Sequence, residues 1–158
     1  MNPPIKRRPL RHRVLSWMIR QSVPGLNLLR HPPPWPYSSA ELSRFSSGTW
    51  GAELAGFLQA RHLNLLTKYE AHDAFHVLLG YDTNVVGEIR LQAFMLGNRS
   101  ASFAGRILLL LGSVLMPELR PQLYRDFMRG RNSPRLAEWN VPDMLAHSLK
   151  TLTTQIAP

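Results

Sequence analysis

The sequence predicts a single all-α domain, a bundle of about six to seven helices. Three observations carry that prediction. At 158 residues the chain has material for one hydrophobic core and not for two. Its apolar residues recur at helical spacing wherever a period is readable, and no Val/Ile/Thr-rich alternation marks a strand. Gly80, Gly97 and Gly130 close periodic segments, and Pro117 and Pro142 fall at the starts of others, where helices stop and start.

The first segment, 1–37, reads as a basic, proline-rich arm. Residues 10–21 form an amphipathic helix in this reading, with Val14, Leu15, Trp17, Met18 and Ile19 apolar and Arg11, Arg13 and Arg20 charged. The run His31-Pro32-Pro33-Pro34-Trp35-Pro36 cannot be helical and separates the arm from the body, 38–158. Within the body, a helix is expected over 50–63, with Leu54, Phe57, Leu58 and Leu63 inward. Thr67-Lys68-Tyr69-Glu70 has the spacing of a capping box, so a second helix should start there and stop at Gly80. A third runs from about 83 to Gly97, and a fourth over 102–116. A fifth covers 117–129 with Gly130 as its terminator, and a sixth spans 140–155 with Pro142 in its first turn.

Charge is unevenly placed. The formal net charge is +9, and residues 1–40 hold seven Lys or Arg and no Asp or Glu. Such a segment suits nucleic acid, an organelle transit sequence or an anionic membrane surface. No helix-turn-helix, RNA-recognition or zinc-finger signature accompanies the charge, so nucleic acid is not expected. Serines are few and prolines frequent for a transit peptide. The preferred reading is a membrane-surface contact through Lys6, Arg7, Arg8, Arg11, Arg13 and Trp17. The longest apolar run, 107–116, is too short to cross a bilayer, which needs about 20 residues. Cysteine is absent, which removes disulfides, thiolate metal sites and cysteine nucleophiles.

The chemistry concentrates in one window. His72, Asp73 and His76 are spaced to share one helical face within a turn, in line with Tyr69 and Leu79, where apolar residues are expected. Two imidazoles and a carboxylate on a buried face are costly unless their charge is compensated. Glu88 lies about as far beyond the turn after Gly80 as His76 lies before it, so a helix hairpin would close it over the other three. The set His72, Asp73, His76 and Glu88 suits a divalent metal: zinc first, with iron, manganese or magnesium as alternatives.

The stretch HDAFHVLLGYDTNVVGEI resembles the signature of the coenzyme Q (ubiquinone) biosynthesis protein 4 family, HDxxH followed by eleven residues and Glu. The likeness takes in Leu78-Leu79-Gly80, Thr83-Asn84 and Gly87-Glu88-Ile89, and extends more loosely over about 50–149. The resemblance implies an all-helical, metal-binding protein at the membrane face where quinones are made. That face is the bacterial inner membrane, or the matrix side of the mitochondrial inner membrane in a eukaryote. It implies His72, Asp73, His76 and Glu88 as ligands, and a polyprenylated hydroxybenzoate precursor or another long-chain lipid as the bound molecule. It implies oxidative decarboxylation at ring carbon one, or else a scaffold organising other quinone-biosynthesis proteins, with a homodimer among the assemblies. Gln92 departs from the lysine that many members carry. Phe94, Met95, Phe103, Ile107 and Leu111 are candidates to line a lipid tunnel. A third reading, an HD-type metal phosphohydrolase, would need His62 as an extra ligand and a later Asp. Asp126 and Asp143 lack a supporting context for that role.

Overall fold

The computed structural model describes residues 10, 11, 13–17 and 32–157. Lys6, Arg7 and Arg8, and the end of the arm helix beyond residue 17, lie outside the described residues. Among those described, the secondary structure is helical, and one isolated bridge pairs Thr49 with Ser148. In chain order the helices are α1 (Ser39–Leu42), α2 (Trp50–Ala60), α3 (Glu70–Leu79), α4 (Val85–Gly97), α5 (Phe103–Leu115), α6 (Arg120–Arg131), α7 (Val141–Met144) and α8 (Leu149–Thr154). Short 3-10 turns at Pro117–Leu119 and Leu136–Glu138 precede α6 and α7.

Local chemistry explains most of the starts. Ser38, Thr49, Asn84, Ser102 and Ser148 each accept a hydrogen bond from a first-turn backbone N–H, the usual remedy for the orphan donors of a helix N-terminus. Gly80 ends α3 in the left-handed region at φ 72°, as its position predicts.

The boundaries differ from the sequence reading at four places. α2 ends at Ala60, because His62 turns into the left-handed region at φ 52°; Leu63 is consequently 43% exposed rather than inward. The capping box at 67–70 does not form. Lys68 sits at φ 73°, Tyr69 holds the cap position without a side-chain cap bond, and Glu70 begins α3. Gly130 does not terminate α6, which runs on through it to Arg131. The expected helix over 140–155 is broken into α7 and α8. Between them the carbonyls of Leu145 and His147 turn away to accept the N–H groups of Gly51 and Trp50 at 2.8 and 2.9 Å, capping α2 instead of extending α7.

Two packed clusters hold the molecule. The larger joins α2, α3, α4 and the C-terminal segment around Trp50, Leu54, Phe75, Leu78, Phe94 and Leu136. The indole N–H of buried Trp50 donates to Ala74 O at 2.9 Å and pins α2 to α3. The smaller joins α4 to α6 and to Leu15 of the arm, around Val85, Ile89, Ala93, Met116 and Leu123. Helices α4 and α6 form the most extensive pair. A β-carbon on Gly97 would lie 1.9 Å from Phe127 O, and one on Gly130 would lie 2.0 Å from Phe94 O. The two backbones therefore touch, which is why both positions must be glycine. α3 packs chiefly on α2 and α4 on α6, so the turn 80–84 is where two helix pairs meet.

Candidate metal centre

That turn is tightly built. Asp82 accepts from the backbone N–H of Thr83 and from the Asn84 amide at 2.9 and 2.7 Å, and Asn84 then caps α4 through the N–H of Gly87. The result aims Glu88, one turn into α4, at the polar face of α3.

Three of the four motif side chains converge. His76 Nε2 lies 3.0 Å from Glu88 Oε1, His72 Nε2 lies 3.3 Å from Glu88 Oε2, and the two Nε2 atoms are 3.2 Å apart. Ligands of one ion at about 2.1 Å sit roughly 3.0–3.4 Å from one another in octahedral or tetrahedral geometry. The imidazole pair and each imidazole's contact with Glu88 match that spacing, the two histidines meeting different oxygens of the carboxylate. Among the described residues these three form the group able to hold a metal ion, one donor atom each, all within 4.8 Å. His76 is buried, while the side chains of His72 and Glu88 keep 25% and 16% of their exposure. The open side lies beside them, where another ligand could approach.

Asp73 stands next to this set and not within it. Its Oδ2 accepts the backbone N–H of Leu66 at 2.9 Å, tying the loop before α3 to the helix. Burial holds its carboxyl above the ordinary range, helped by the charge of Glu88 and opposed by the Leu66 hydrogen bond and both histidines.

The electrostatics of the three are those of a compensated cluster. Burial works to raise the Glu88 carboxyl, but hydrogen bonds and charge from His72 and His76 win and bring it down to about 2. For His76 burial works downward, while the Glu88 contact and the carbonyl of Tyr81 carry it above its usual value. Glu88 and His76 therefore each favour the charged form of the other.

The tautomer is set by the backbone. His76 Nδ1–H donates to Tyr81 O at 3.2 Å, so Nε2, on the Glu88 side, is the nitrogen left to bind a metal when it gives up its proton. Tyr81 is itself anchored: its hydroxyl donates to Asp126 Oδ1 at 2.8 Å, deep under the site. Arg90, two residues after Glu88, donates to both oxygens of Asp126 at 2.8 and 3.0 Å, and Arg129 donates to Leu79 O and to the Tyr81 hydroxyl. Burial and the Asp126 charge push the Tyr81 phenol up to about 12. Asp126 thus ties both arms of the centre, the 80–84 turn and α4, to α6. This support was not foreseen, although a signal existed. Asp126 is three residues after Leu123 and four before Gly130, all buried on α6, so it is a carboxylate on an apolar face.

On the other side of His76 the Phe57 ring lies nearly parallel to the imidazole, centroids 6.5 Å apart, and Arg61 rests 3.9 Å over Phe57. An open cleft of about 500 Å³ runs there, lined by Glu53, Phe57, Arg61, His76, Tyr81 and Asp82.

The remaining sequence candidates are dispersed. Phe94 and Met95 are buried in the main core, Leu111 is half-buried, and Phe103 and Ile107 lie on the outer surface at 79% and 43% exposure. None of the five lines the cleft beside His76. Gln92 fills the space between α4 and α5, its Oε1 lying where a β-carbon on Gly105 would be. His62 is exposed, Asp126 is engaged by Tyr81 and Arg90, and Asp143 pairs with Asn140 at the surface. The ligand pattern of an HD phosphohydrolase is therefore not assembled. Of the arm, Leu15 is buried, Arg11 pairs with Glu118 at 2.7 Å, and Arg13 and Trp17 are exposed. No helix among the described residues is long and apolar enough to cross a membrane.

No protein-family model matches this chain, and no curated protein matches it. A crystal structure of a candidate ubiquinone biosynthesis protein from Nostoc punctiforme PCC 73102 is similar, with a TM-score of 0.64 and 24% sequence identity. The match covers 94% of this chain and 81% of that one. At this level of identity the two chains share a fold, an all-helical domain carried over nearly the full length of the present protein.

Proposed function

We propose that the protein serves quinone biosynthesis, holding a prenylated aromatic precursor at a divalent metal bound by His72, His76 and Glu88. The observation that carries this reading is the convergence of two imidazole Nε2 atoms and one carboxylate at 3.0–3.3 Å. The HDxxH–x11–Glu pattern and the fold shared with a protein named for ubiquinone biosynthesis support the pathway. Zinc fits a set of two histidines and one glutamate with an open position, and iron fits the same set.

A divalent cation held there supplies Lewis acidity toward a carboxylate or phenolic oxygen of the head group. The chain's own residues do the rest. Tyr81 O keeps the His76 imidazole in the tautomer that presents Nε2 outward. Glu88 stays ionised and balances cationic charge. Asp73, with its raised carboxyl, is the nearest group able to hold a proton beside the centre. The reaction proposed is oxidative decarboxylation at ring carbon one, in which the carboxyl leaves as carbon dioxide, one atom of dioxygen becomes the new ring hydroxyl, and a two-electron reductant with two protons takes the other atom to water. The rival reading is a lipid-binding scaffold without turnover, favoured by the large apolar surface of α5 described below.

Metal-loaded protein incubated with a carboxyl-labelled prenyl hydroxybenzoate, dioxygen and a reductant separates them. Release of labelled carbon dioxide that Glu88→Ala abolishes supports catalysis. Precursor that binds and is recovered intact supports the scaffold. Failure to bind either metal or precursor rejects both.

A further inference from the structure

Helix α5 turns its small side inward. Gly105 and Gly112 pack against Gln92 and Ile89 of α4, so the bulky residues point out. Phe103, Ile107, Leu110 and Val114 are 79%, 43%, 62% and 58% exposed. Their spacing of four, three and four places them in one stripe along the helix, roughly 17 Å long at 1.5 Å per residue. A soluble monomer seldom leaves so continuous an apolar ridge in water.

The charges around it identify what it meets. From Asn98 to Pro117 the chain contains Arg99 and Arg106, both exposed, and no acidic residue. The arm helix repeats the pattern within the acid-free segment 1–40. Leu10, Val14 and Trp17, again spaced four and three, are 73%, 40% and 58% exposed, with Arg13 exposed among them. The arm is held to the same part of the body: Leu15 is buried against Ile89 and Met116, and Arg11 pairs with Glu118 just past the end of α5. Apolar ridges flanked by Arg99, Arg106 and Arg13, with the neighbouring Glu118 already paired to Arg11, match an anionic lipid surface, where side chains enter the acyl boundary and guanidinium groups meet phosphate. A second copy would set Arg99 and Arg106 against their own like charges. A nucleic acid would leave the ridge in water.

We propose that the outer face of α5, assisted by the arm helix, docks the protein on an anionic bilayer surface. This goes beyond the metal-centre reading and does not depend on it.

The test uses the full chain and vesicles of phosphatidylcholine with and without phosphatidylglycerol. Wild type should co-sediment with the anionic vesicles at low salt and not with phosphatidylcholine alone. Phe103→Ser with Leu110→Ser should lower the partition coefficient by about tenfold or more, with the melting temperature unchanged. Arg106→Glu should weaken binding without touching the ridge, and serves if the double variant fails to fold. Undiminished binding by both variants would overturn the proposal, as would equal binding to neutral vesicles. A wild-type dimer that the double variant converts to monomer would also overturn it, assigning the face to a second copy.

Discussion

His76 donates its Nδ1 proton to the backbone carbonyl of Tyr81, 3.2 Å away and five residues later in the chain. One hydrogen bond across the end of α3 therefore decides which nitrogen of the ring is available to Glu88 and to a metal. The centre is consequently as rigid as the turn that holds Tyr81.

Loss of either imidazole or of the carboxylate should empty the centre. His76→Ala and Glu88→Ala are expected to reduce bound metal from about one per chain to background by elemental analysis, with helical circular dichroism retained. Stoichiometric metal in either variant would disprove the assignment.

Asp73→Asn should keep metal at wild-type stoichiometry, because Asp73 spends an oxygen on Leu66 N–H and lies outside the converging set. The expected cost is stability, about 1 kcal/mol for one weakened charge-assisted hydrogen bond. Loss of metal with stability unchanged would make Asp73 a ligand instead.

Asp126→Ala removes the group shared by Tyr81, Arg90 and the two arms of the centre. Breaking a buried ion pair from one side should cost about 3 kcal/mol in urea denaturation. Metal affinity should fall by about tenfold, as for other supports of a ligand's orientation. Affinity equal to wild type would mean that the centre does not lean on α6.

Gly97→Ala and Gly130→Ala should each destabilise by about 3 kcal/mol, although alanine is the better helix former by about 1 kcal/mol. The new methyl group would meet a backbone carbonyl at 1.9–2.0 Å, and only separation of α4 from α6 relieves that. A neutral or stabilising effect at either site would refute the close crossing.

For the metal-free protein, pH dependence follows from Glu88. Its folded value of about 2 lies below the ordinary 4.5, so its contribution is present above pH 4.5 and is lost as pH falls toward 2. The size is on the order of 3 kcal/mol. His76, raised above 6.5, works in the opposite sense: its contribution is full below 6.5 and fades as pH rises through its folded value. Urea midpoints of wild type minus Glu88→Gln should therefore be largest between about pH 4.5 and 6.5. A difference independent of pH would contradict the His–Glu coupling.

Much of this could be read along the chain. Apolar spacing of 3.6 predicts α2 to α6 because each must bury one stripe, and that stripe is written locally. Gly80, Asn84 and Ser102 act on the turn next to them, so their roles survive any tertiary arrangement. The HDxxH spacing puts His72 and His76 on one face for the same local reason. The glutamate was legible because only a short turn separates it from His76.

What escaped was decided between segments far apart in sequence. Gly130 looks like a helix end, and Gly97 like nothing more than one, until α4 and α6 cross there. Residues 140–155 look like one helix until the N-terminus of α2 takes the carbonyls of Leu145 and His147. Asp126 has no meaning until Tyr81 and Arg90 arrive from elements 45 and 36 residues away. Which side of α5 faces water was also unreadable, since both sides are apolar and only the two glycines fitting against Gln92 and Ile89 choose between them. The sequence by itself determined the main helices and the four-residue candidate set His72, Asp73, His76 and Glu88, of which the structure brings His72, His76 and Glu88 together. The tertiary structure decided the partners of each helix, because backbone contact, buried charge and exposure depend on what packs opposite and not on what comes next.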